Sequence, residues 1–385
     1  MADLFDPMSP DMLADPYPVY ARLRREDPVH WHDGLAGWVL TRYEDCVRVL
    51  QDPATFGSDF RSVGEDAPDE TLTLQTLDPP EHTALRQVVA AALRAVDPTA
   101  LDTAVEEAAD KQLSLVDPER FDFITEFAEP VGIAAMCALV GIPGLDDVPS
   151  FCAAQRDLIV SFDAGLAPQA KEPGLRARNQ LNAMIEAMIE RRPATGVLSG
   201  VRLDPSGPPR IQVVNALRGI FGAGYGSSSS MWGNAVLALA GAGLLDRPAA
   251  PALDAVAFNE LIRYDGAVQA ESRAVNRDLE LCGRRIRRGE SVVTVLGAAN
   301  RDPARFAAPD RLELTRRPNP HIGFGMGVHA CIGGRIGLRI GVRVLKLLAD
   351  RYRLRLLEPP VRRPTATLRG LDRLVLAATP RPAAG

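Results

Sequence analysis

Cysteine is scarce in this chain, and none of it falls in a paired motif. The 385 residues include five cysteines and no Cys-x-x-Cys spacing. Isolated cysteines argue against a disulfide framework and against a structural zinc site. Four of them lie in apolar or helix-like surroundings, where we expect buried, inert thiols. Those four are Cys46, Cys137, Cys152 and Cys282. Cys331 has a different context, described below.

Long hydrophobic runs and an excess of positive charge are also missing. No stretch approaches the about 18 uninterrupted apolar residues of a membrane span. The N-terminal segment Met1–Asp6 has neither the basic nor the apolar region of a signal peptide. The formal net charge is −5, so the whole chain shows no sign of nucleic-acid binding. We therefore expect a cytoplasmic protein that binds neither membrane nor nucleic acid.

What the chain does have is the composition of a packed globular protein, with 46% hydrophobic and 24% charged residues. Apolar residues recur at three- and four-residue intervals over most of its length, which predicts helices. The predicted helices are 83–94, 99–113, 124–140, 175–191, 211–243, 252–264 and 332–350. Strand-like segments are fewer, at 37–42, 279–282 and 291–296.

Two segments, 61–80 and 192–210, are rich in Pro, Gly, Asp and Ser and are predicted to be loops. No internal repeat and no clean linker divides the sequence. We therefore predict one domain over residues 1–385, mainly α with a minor β region, in the α+β class.

The most informative segment is His321–Gly334, which surrounds Cys331 with glycine. Four glycines between positions 323 and 333 permit a tight loop that can approach a flat ligand and turn amides toward the sulfur. A helix-like segment begins at or beside Cys331, and a helix N-terminus favours a thiolate over a thiol. A thiolate in such a loop is either a nucleophile or a metal ligand, whereas most lone cysteines in glycine-rich turns are simply buried.

This loop resembles the cytochrome P450 signature Phe-Gly-x-Gly-x-His-x-Cys-x-Gly. Each fixed position is filled, by Phe324, Gly325, Gly327, His329, Cys331 and Gly333. The resemblance implies a P450 fold, with haem b between a long distal helix and the proximal helix that follows Cys331. It also implies that the Cys331 thiolate is the axial iron ligand, which favours O–O cleavage, and that Phe324 packs beside it. The chain lacks Cys-x-x-Cys-His, so we expect non-covalent haem.

A second part of the resemblance is Glu260-Leu261-Ile262-Arg263, the family's Glu-x-x-Arg spacing. This spacing puts both charges on one face of a helix. A surface salt bridge is the ordinary alternative for any such pair. The resemblance instead implies a buried Glu-Arg-Arg network with Arg311 as its third member. We expect these three residues to be structural rather than catalytic.

Four further residues match family positions that face the haem propionates. His82 and Arg86 are four residues apart at the start of a predicted helix, so they share a face and both can donate hydrogen bonds to a carboxylate. Arg273 and His329 match two other such positions. Each residue alone is equally consistent with a solvated surface, but the four together favour a haem-binding set.

The distal helix departs from the family pattern. Members usually carry Ala/Gly-Gly-x-Asp/Glu-Thr, whose acid and alcohol help deliver protons. Here Ala223 and Gly224 match, but Gly226 takes the place of the acid and Ser227 that of the alcohol. Each helical glycine costs about 0.5–1 kcal/mol relative to alanine, so these glycines predict a local bulge or a close approach, or are small residues making room.

Without the acid, three proton sources stay open. They are Ser227 or Ser228 with ordered water, a polar group on the substrate, or an exogenous peroxide that already carries its protons. We predict a haem-thiolate oxidoreductase that activates O2 to hydroxylate, couple or cyclise a small organic substrate. A role in secondary metabolism is suggested by analogy only. The alternatives are a peroxide-driven haem oxidase of the same fold and a non-catalytic haem-binding or recruitment protein.

Electrons must come from outside the chain, which has no flavin or iron–sulfur motif. The resemblance implies a ferredoxin and an NAD(P)H-dependent ferredoxin reductase as partners. Arg335, Arg339 and Arg343 follow Cys331 at four-residue spacing and form a basic stripe. The stripe is either a docking patch for an acidic ferredoxin or a solvated helix face.

Overall fold

A computed structural model of the chain describes residues 5–202 and 204–382. Three parts lie outside the described residues. They are Met1–Leu4, which belong to the N-terminal segment considered above, Leu203 within the predicted loop 192–210, and residues 383–385.

Helices make up most of the described chain. The α-helices are α1 (Pro10–Ala14), α2 (Tyr17–Glu26), α3 (Tyr43–Gln51), α4 (Glu81–Leu93), α5 (Pro98–Leu115), α6 (Glu129–Val140), α7 (Val148–Val160), α8 (Lys171–Glu190), α9 (Gly196–Gly200), α10 (Arg210–Gly241), α11 (Ala255–Asp265), α12 (Leu296–Ala299) and α13 (Gly334–Arg351). Their ends follow local chemistry. Asp97 and Asp254 cap α5 and α11 by accepting hydrogen bonds from backbone amides, and Gly141 ends α6 with a φ of 92°.

The strands form small sheets. They are β1 (Val29–His32), β2 (Gly37–Leu40), β3 (Phe56–Gly57), β4 (Phe121–Asp122), β5 (Ala270–Val275), β6 (Leu279–Leu281), β7 (Arg284–Ile286), β8 (Ser291–Val295), β9 (Tyr352–Leu356), β10 (Val361–Arg362), β11 (Leu371–Arg373) and β12 (Val375–Pro380). The largest sheet has the order β1-β2-β8-β5-β3, with β2 and β8 parallel and its other pairs antiparallel. In it Arg273 pairs with Val292.

The main core surrounds α10, which contacts α4, α6, α7, α8, α11 and α13. Trp232 and Phe221 are among the largest fully buried side chains of this helix. A helix that is apolar on most of its circumference is typical of the centre of a large protein. The fold is therefore mainly α with a minor β region, as the sequence predicts.

The predicted helices all exist, with ends that differ by a few residues. In the segment 124–140 the regular α-helix begins only at Glu129, after a π-helical turn over Phe123–Ala128. The prediction of an uninterrupted loop over 192–210 is wrong, because it contains α9. Val197 and Leu198 of α9 are buried, so tertiary packing outweighs the poor helix propensity of the two glycines at its ends.

One described segment, Phe123–Val140, is long and apolar enough to cross a membrane by composition alone, with a mean hydropathy of 1.6. However, 61% of it is buried inside the protein, and α6 packs against α5 and α10. This is the environment of a core helix.

Candidate functional site

The loop before α13 presents Cys331 with an exposed side chain. Its turns require glycine, since Gly325 and Gly327 have φ values of 67° and 71°. A side chain at Gly327 would also lie 2.3 Å from the carbonyl oxygen of Leu50. The loop is closed by the Cys331 amide, which donates to the Phe324 carbonyl at 2.8 Å. Phe324 packs against Gly334, the first residue of α13.

The surroundings of the sulfur favour a metal ligand over a free nucleophile. Burial raises the pKa of the Cys331 thiol, although hydrogen bonds from the backbone of Gly333 and Gly334 and the charge of Arg86 act in the opposite direction. Coordination to a metal cation deprotonates a thiol outright, so a bound metal would hold this sulfur as a thiolate.

Three of the predicted cofactor-binding residues meet beside this loop. His82 is buried at the start of α4, and its ring centroid lies 4.4 Å from that of His329. Arg86, one turn further along α4, donates to the Ala330 carbonyl at 2.8 Å. Burial, together with the charges of His329 and Arg86, lowers the pKa of His82 to about 4.

His329 and Arg273 already have partners within the protein. The two ring nitrogens of His329 lie 3.2 Å from the Leu74 carbonyl and 3.1 Å from the Asp78 carboxylate. Arg273 is buried on β5 and donates to Glu271 at 2.7 Å. Sequence reasoning missed both acidic partners. Each lies within a few residues of a predicted cation, but the sequence alone does not show that they meet.

The His82 ring allows a test of whether an anionic cofactor fits this site. Its Nε2 atom is buried and has no hydrogen-bond partner within the described residues. A buried polar atom without a partner costs about 1–3 kcal/mol, so such an atom calls for a ligand. A carboxylate would satisfy Nε2 and would lie among Arg86, His329 and His82. The donor set and the thiol of Cys331 together fit haem, whose anionic propionates His82 and Arg86 would hold.

The distal helix α10 has one accessible stripe in an otherwise buried surface. Solvent-accessible residues recur at four-residue spacing along it, at Gly219, Ile220, Ala223, Gly224, Ser227 and Ser228. Accessible residues in the middle of a core helix mark the wall of a cleft. Ala223 and Ser227 lie one turn apart on this wall, and the Ser227 hydroxyl donates to the Ala223 carbonyl at 2.6 Å.

The structure shows whether the glycines of α10 form a local bulge or allow a close approach of other groups. The helix runs unbroken from Arg210 to Gly241, so no bulge forms. Instead the glycines allow close approach: a β-carbon on Gly222 would lie 2.4 Å from Gln155 Nε2, and one on Gly224 would lie 2.3 Å from Met136 Sδ. Gly226 is buried on the side facing Ile159, not in the accessible stripe. Of the three positions predicted to be catalytic, Ser227 and Ser228 therefore lie in the accessible stripe, whereas Gly226 lies on a buried side of the helix.

The structural network around Glu260 exists, but one member differs from the prediction. Arg263 donates to Glu260 at 2.7 and 2.8 Å, and both side chains are fully buried. The second arginine is Arg316, whose Nε lies 3.1 Å from both carboxylate oxygens. The assignment of Arg311 is wrong: its side chain is exposed, and only its carbonyl oxygen takes part, accepting from Arg263 and Arg316.

The basic stripe on α13 is partly neutralised. Arg339 donates to Asp102 of α5 at 2.7 Å, and Arg343 pairs with both Asp102 and Glu106. Arg335 is exposed. Of the three arginines, Arg335 is therefore the one whose charge is most available to a partner.

Comparison with known proteins identifies the family. A family model described as cytochrome P450 matches residues 244–369. The protein cytochrome P450 CYP199A2 of Rhodopseudomonas palustris is 31% identical, over 97% of this chain and 94% of its own length. The chain belongs to the cytochrome P450 family. The P450 named vitamin D(3) 25-hydroxylase of Pseudonocardia autotrophica is also 31% identical, over 96% of this chain and 95% of that protein.

Solved P450 structures share the fold over nearly the whole chain. CalO2 superposes with a TM-score of 0.83 and 31% identity, covering 98% of this chain and 99% of the other. The bacillaene polyketide synthase P450 PksS of Bacillus subtilis gives 0.85 and 27%, with 97% and 100% covered. This P450 is a monooxygenase-type oxidoreductase like its relatives, with non-covalent haem and a cysteine thiolate, from Cys331, as axial ligand.

Proposed function

We propose that this P450 oxidises a small organic molecule in the cleft between Cys331 and the accessible stripe of α10. The reaction is a hydroxylation, a coupling or a ring closure. Haem, when bound, supplies the activation of dioxygen. The observation that best supports the proposal is the Cys331 loop, whose glycine turns are those of a ligand loop. The accessible stripe of α10 adds mostly small residues and two hydroxyls, those of Ser227 and Ser228.

The residues of α4 and β5 would hold the cofactor. His82 would donate from its unpartnered Nε2, and Arg86 and Arg273 would add charge-assisted donors to the propionates. His329 would lie beside the same anion, with its two ring nitrogens kept by the Leu74 carbonyl and the Asp78 carboxylate. Phe324, Gly325 and Gly333 would shape the proximal pocket, and Ala223 with Gly224 the distal one.

The substrate side of the cleft is built for bulk rather than charge. Gly219, Ala223 and Gly224 of the accessible stripe have small side chains or none, and Ile220 adds an apolar surface. Such a wall suits a bulky, largely apolar substrate. The similarity to PksS, a P450 of the bacillaene polyketide synthase, supports a role in secondary metabolism.

Ser227 is the residue placed to handle protons at the cleft. Its hydroxyl donates back to the Ala223 carbonyl, so its oxygen can accept a hydrogen bond from a water or from the substrate. A water or substrate group that donates to Ser227 would therefore lie against α10. No acid stands beside it, because position 226 is glycine. Proton delivery by this route therefore needs a water chain or a polar group on the substrate.

The test is the yield of product per NADPH consumed, with the true substrate, in wild type, Ser227→Ala and Gly226→Asp. Tight coupling in wild type that is lost with Ser227→Ala supports the serine and water relay. Tight coupling that survives in Ser227→Ala supports assistance by the substrate. If neither reduced ferredoxin nor peroxide yields product from any substrate that shifts the haem spectrum, the proposed activity is wrong.

A second candidate function is peroxide-driven oxidation. The observation that favours it is Gly226 itself, since hydrogen peroxide brings its own protons and needs no distal acid. Turnover with hydrogen peroxide alone, at a rate equal to or above that with ferredoxin, would support this alternative.

The proposed electron donors are a ferredoxin and an NAD(P)H-dependent ferredoxin reductase in the cytoplasm. An acidic ferredoxin would dock beside Cys331, where Arg335 is exposed. We propose that residues 1–385 form a single cytochrome P450 domain.

A further inference from the structure

A second buried polar atom without a partner lies near the predicted haem contacts. The hydroxyl of Ser58 makes no hydrogen bond within the described residues, and the residue is only 4% exposed. Burying a hydroxyl is unfavourable unless it is hydrogen-bonded, so such a group calls for a ligand or an ordered water. Ser58 directly follows β3 and belongs to none of the motifs that carry the P450 resemblance.

The pairing of β3 with β5 places Ser58 beside Arg273. Gly57, the last residue of β3, pairs with Ala274 in an antiparallel ladder. Continuing this register by one residue sets Ser58 opposite Arg273, which is also buried. Residues opposite each other in an antiparallel pair point to the same face, with β-carbons about 4.5–5.5 Å apart. The unpaired hydroxyl is therefore next to a residue predicted to hold a propionate.

A chain of contacts joins Ser58 to two other predicted propionate residues. The Asp78 carboxylate accepts hydrogen bonds from the backbone amides of Ser58 and Asp59, and it lies 3.1 Å from His329 Nε2. The His329 ring lies 4.4 Å from that of His82, whose Nε2 atom is also buried and unpaired. Ser58 is therefore part of the group of residues that surrounds the proposed propionate site.

The charges of this group favour a contribution from neutral donors. Arg273 is paired with Glu271 at 2.7 Å, and His329 likewise lies beside a carboxylate. Burial lowers the pKa of His82 to about 4, so its ring is neutral near pH 7. Of the four predicted propionate residues, only Arg86 carries a charge without an acidic partner within the described residues. Two propionates carry two negative charges, so hydrogen bonds from neutral groups would supply part of their stabilisation.

We infer that Ser58 donates a hydrogen bond from its hydroxyl to a haem propionate and is a further cofactor-binding residue. A serine hydroxyl suits this role, because it rotates toward its acceptor and because a hydrogen bond to a carboxylate is stronger than one to a neutral group. The inference extends the proposed haem-binding set of His82, Arg86 and Arg273, and it rests on that set.

The first test measures how firmly the loaded protein keeps its haem. Haem transfer to an excess of a haem-scavenging globin is followed for wild type, Ser58→Ala and Ser62→Ala. Ser62 is the matched control, because its hydroxyl lies in the same loop but already bonds the Asp59 carbonyl and Asn276. We expect haem loss to be about 10-fold faster in Ser58→Ala, as for one lost hydrogen bond to a charged group, and unchanged in Ser62→Ala. Equal rates in wild type and Ser58→Ala would overturn the inference.

The second test separates a direct contact with the propionate from an effect on the fold. Loading the proteins with the dimethyl ester of haem keeps the porphyrin but removes both negative charges. The difference in haem loss between wild type and Ser58→Ala should then shrink to about 3-fold, because a hydrogen bond to a neutral acceptor is roughly half as strong. A difference that is as large with the ester as with haem would mean that Ser58 acts through the fold, and the inference would be wrong.

Resonance Raman spectra of the loaded proteins give a signature that depends neither on turnover nor on haem loss. We expect the propionate-bending bands to shift in Ser58→Ala and to keep their wild-type position in Ser62→Ala. His82→Leu is the parallel variant for the proposed haem-binding set. Faster haem loss in His82→Leu alone would overturn the assignment of Ser58 and leave the proposed set standing, whereas no effect in either variant would refute both.

Discussion

At the scale of single residues, Glu260 determines how the region before the cysteine loop is fixed. Its carboxylate is fully buried and accepts from Arg263, from Arg316, from the backbone amide of Glu313 at 2.9 Å and from the side-chain amide of Asn319 at 3.3 Å. A buried carboxylate is stable only while its partners remain, because its desolvation is offset by those bonds alone. Arg311 contributes a carbonyl oxygen to the same network and no charge.

This arrangement predicts that replacing Arg316 lowers the stability of the protein strongly, whereas replacing Arg311 hardly changes it. Arg316→Ala removes one partner of a buried charge and should lower the free energy of unfolding by about 3–5 kcal/mol. Arg311→Ala leaves the carbonyl in place and should change it by about 0.5 kcal/mol or less. Chemical denaturation of both variants checks this. The assignment made here is wrong if Arg311→Ala is the more damaging change.

A second residue-scale prediction concerns pH. Burial and the nearby Arg263 lower the pKa of His321 to about 4, while Glu260 acts against them. The unfolded chain has the ordinary value of about 6.5, so between these values it binds more protons than the folded protein. Stability is therefore complete above about pH 6.5 and is lost as the pH falls toward about 4.

Replacing His321 with Gln should flatten this dependence. We expect the loss in free energy of unfolding between about pH 7 and pH 4 to be smaller by about 2 kcal/mol than in wild type. Unfolding curves measured across this range provide the check. Parallel curves for the two proteins would mean that His321 titrates normally.

The sequence identifies some residues of the site and not others, for a physical reason. Phe324, Cys331, Glu260 and Arg263 lie in motifs whose spacing is fixed by one loop or one helical turn. Arg316 lies in an irregular segment, where no period tells it apart from Arg311.

At the scale of elements, α10 shows why glycine is frequent in a buried helix. The glycines allow neighbouring side chains to pack against the backbone, and the helix remains straight enough to form all its bonds from Arg210 to Gly241. The periodicity of the sequence predicts the helix and its glycines predict a local irregularity. The second expectation fails because side chains from other elements fill the gaps at Gly222 and Gly224, such as Met136 of α6 at Gly224.

Two glycine-to-alanine changes test this account. Gly224→Ala would place a methyl group 2.3 Å from Met136 Sδ and should destabilise the protein by about 1–3 kcal/mol through overpacking. Gly337→Ala, in the interior of α13, meets nothing within 4 Å and should stabilise it by about 0.5–1 kcal/mol. Thermal unfolding of both variants decides the matter, and a stabilising Gly224→Ala would contradict the packing described here.

At the scale of the whole molecule, the basic residues that follow Cys331 lie on α13, and α7 and α8 pack against each other and against α10. The net charge of −5 gives no sign of a basic surface, and it is the four-residue spacing of Arg335, Arg339 and Arg343 that predicts one. The structure narrows the proposed docking surface further, because Asp102 and Glu106 hold Arg339 and Arg343.

Docking should therefore depend most on Arg335. We expect Arg335→Glu to weaken binding of an acidic ferredoxin several-fold at low salt, with a smaller effect as ionic strength screens the charge. Arg176→Glu, an exposed change of the same charge on α8, is the control. The rate of reduction at varied ferredoxin concentration gives the answer, and equal curves for both variants would remove Arg335 from the docking surface.

The measurement that most directly tests the whole account is the carbon monoxide difference spectrum of the reduced, haem-loaded protein, with Cys331→Ala as the comparison. The account predicts the red-shifted Soret band of thiolate-ligated haem in wild type and its loss in the variant. A wild-type band typical of nitrogen ligation, or a band that survives in Cys331→Ala, would contradict it.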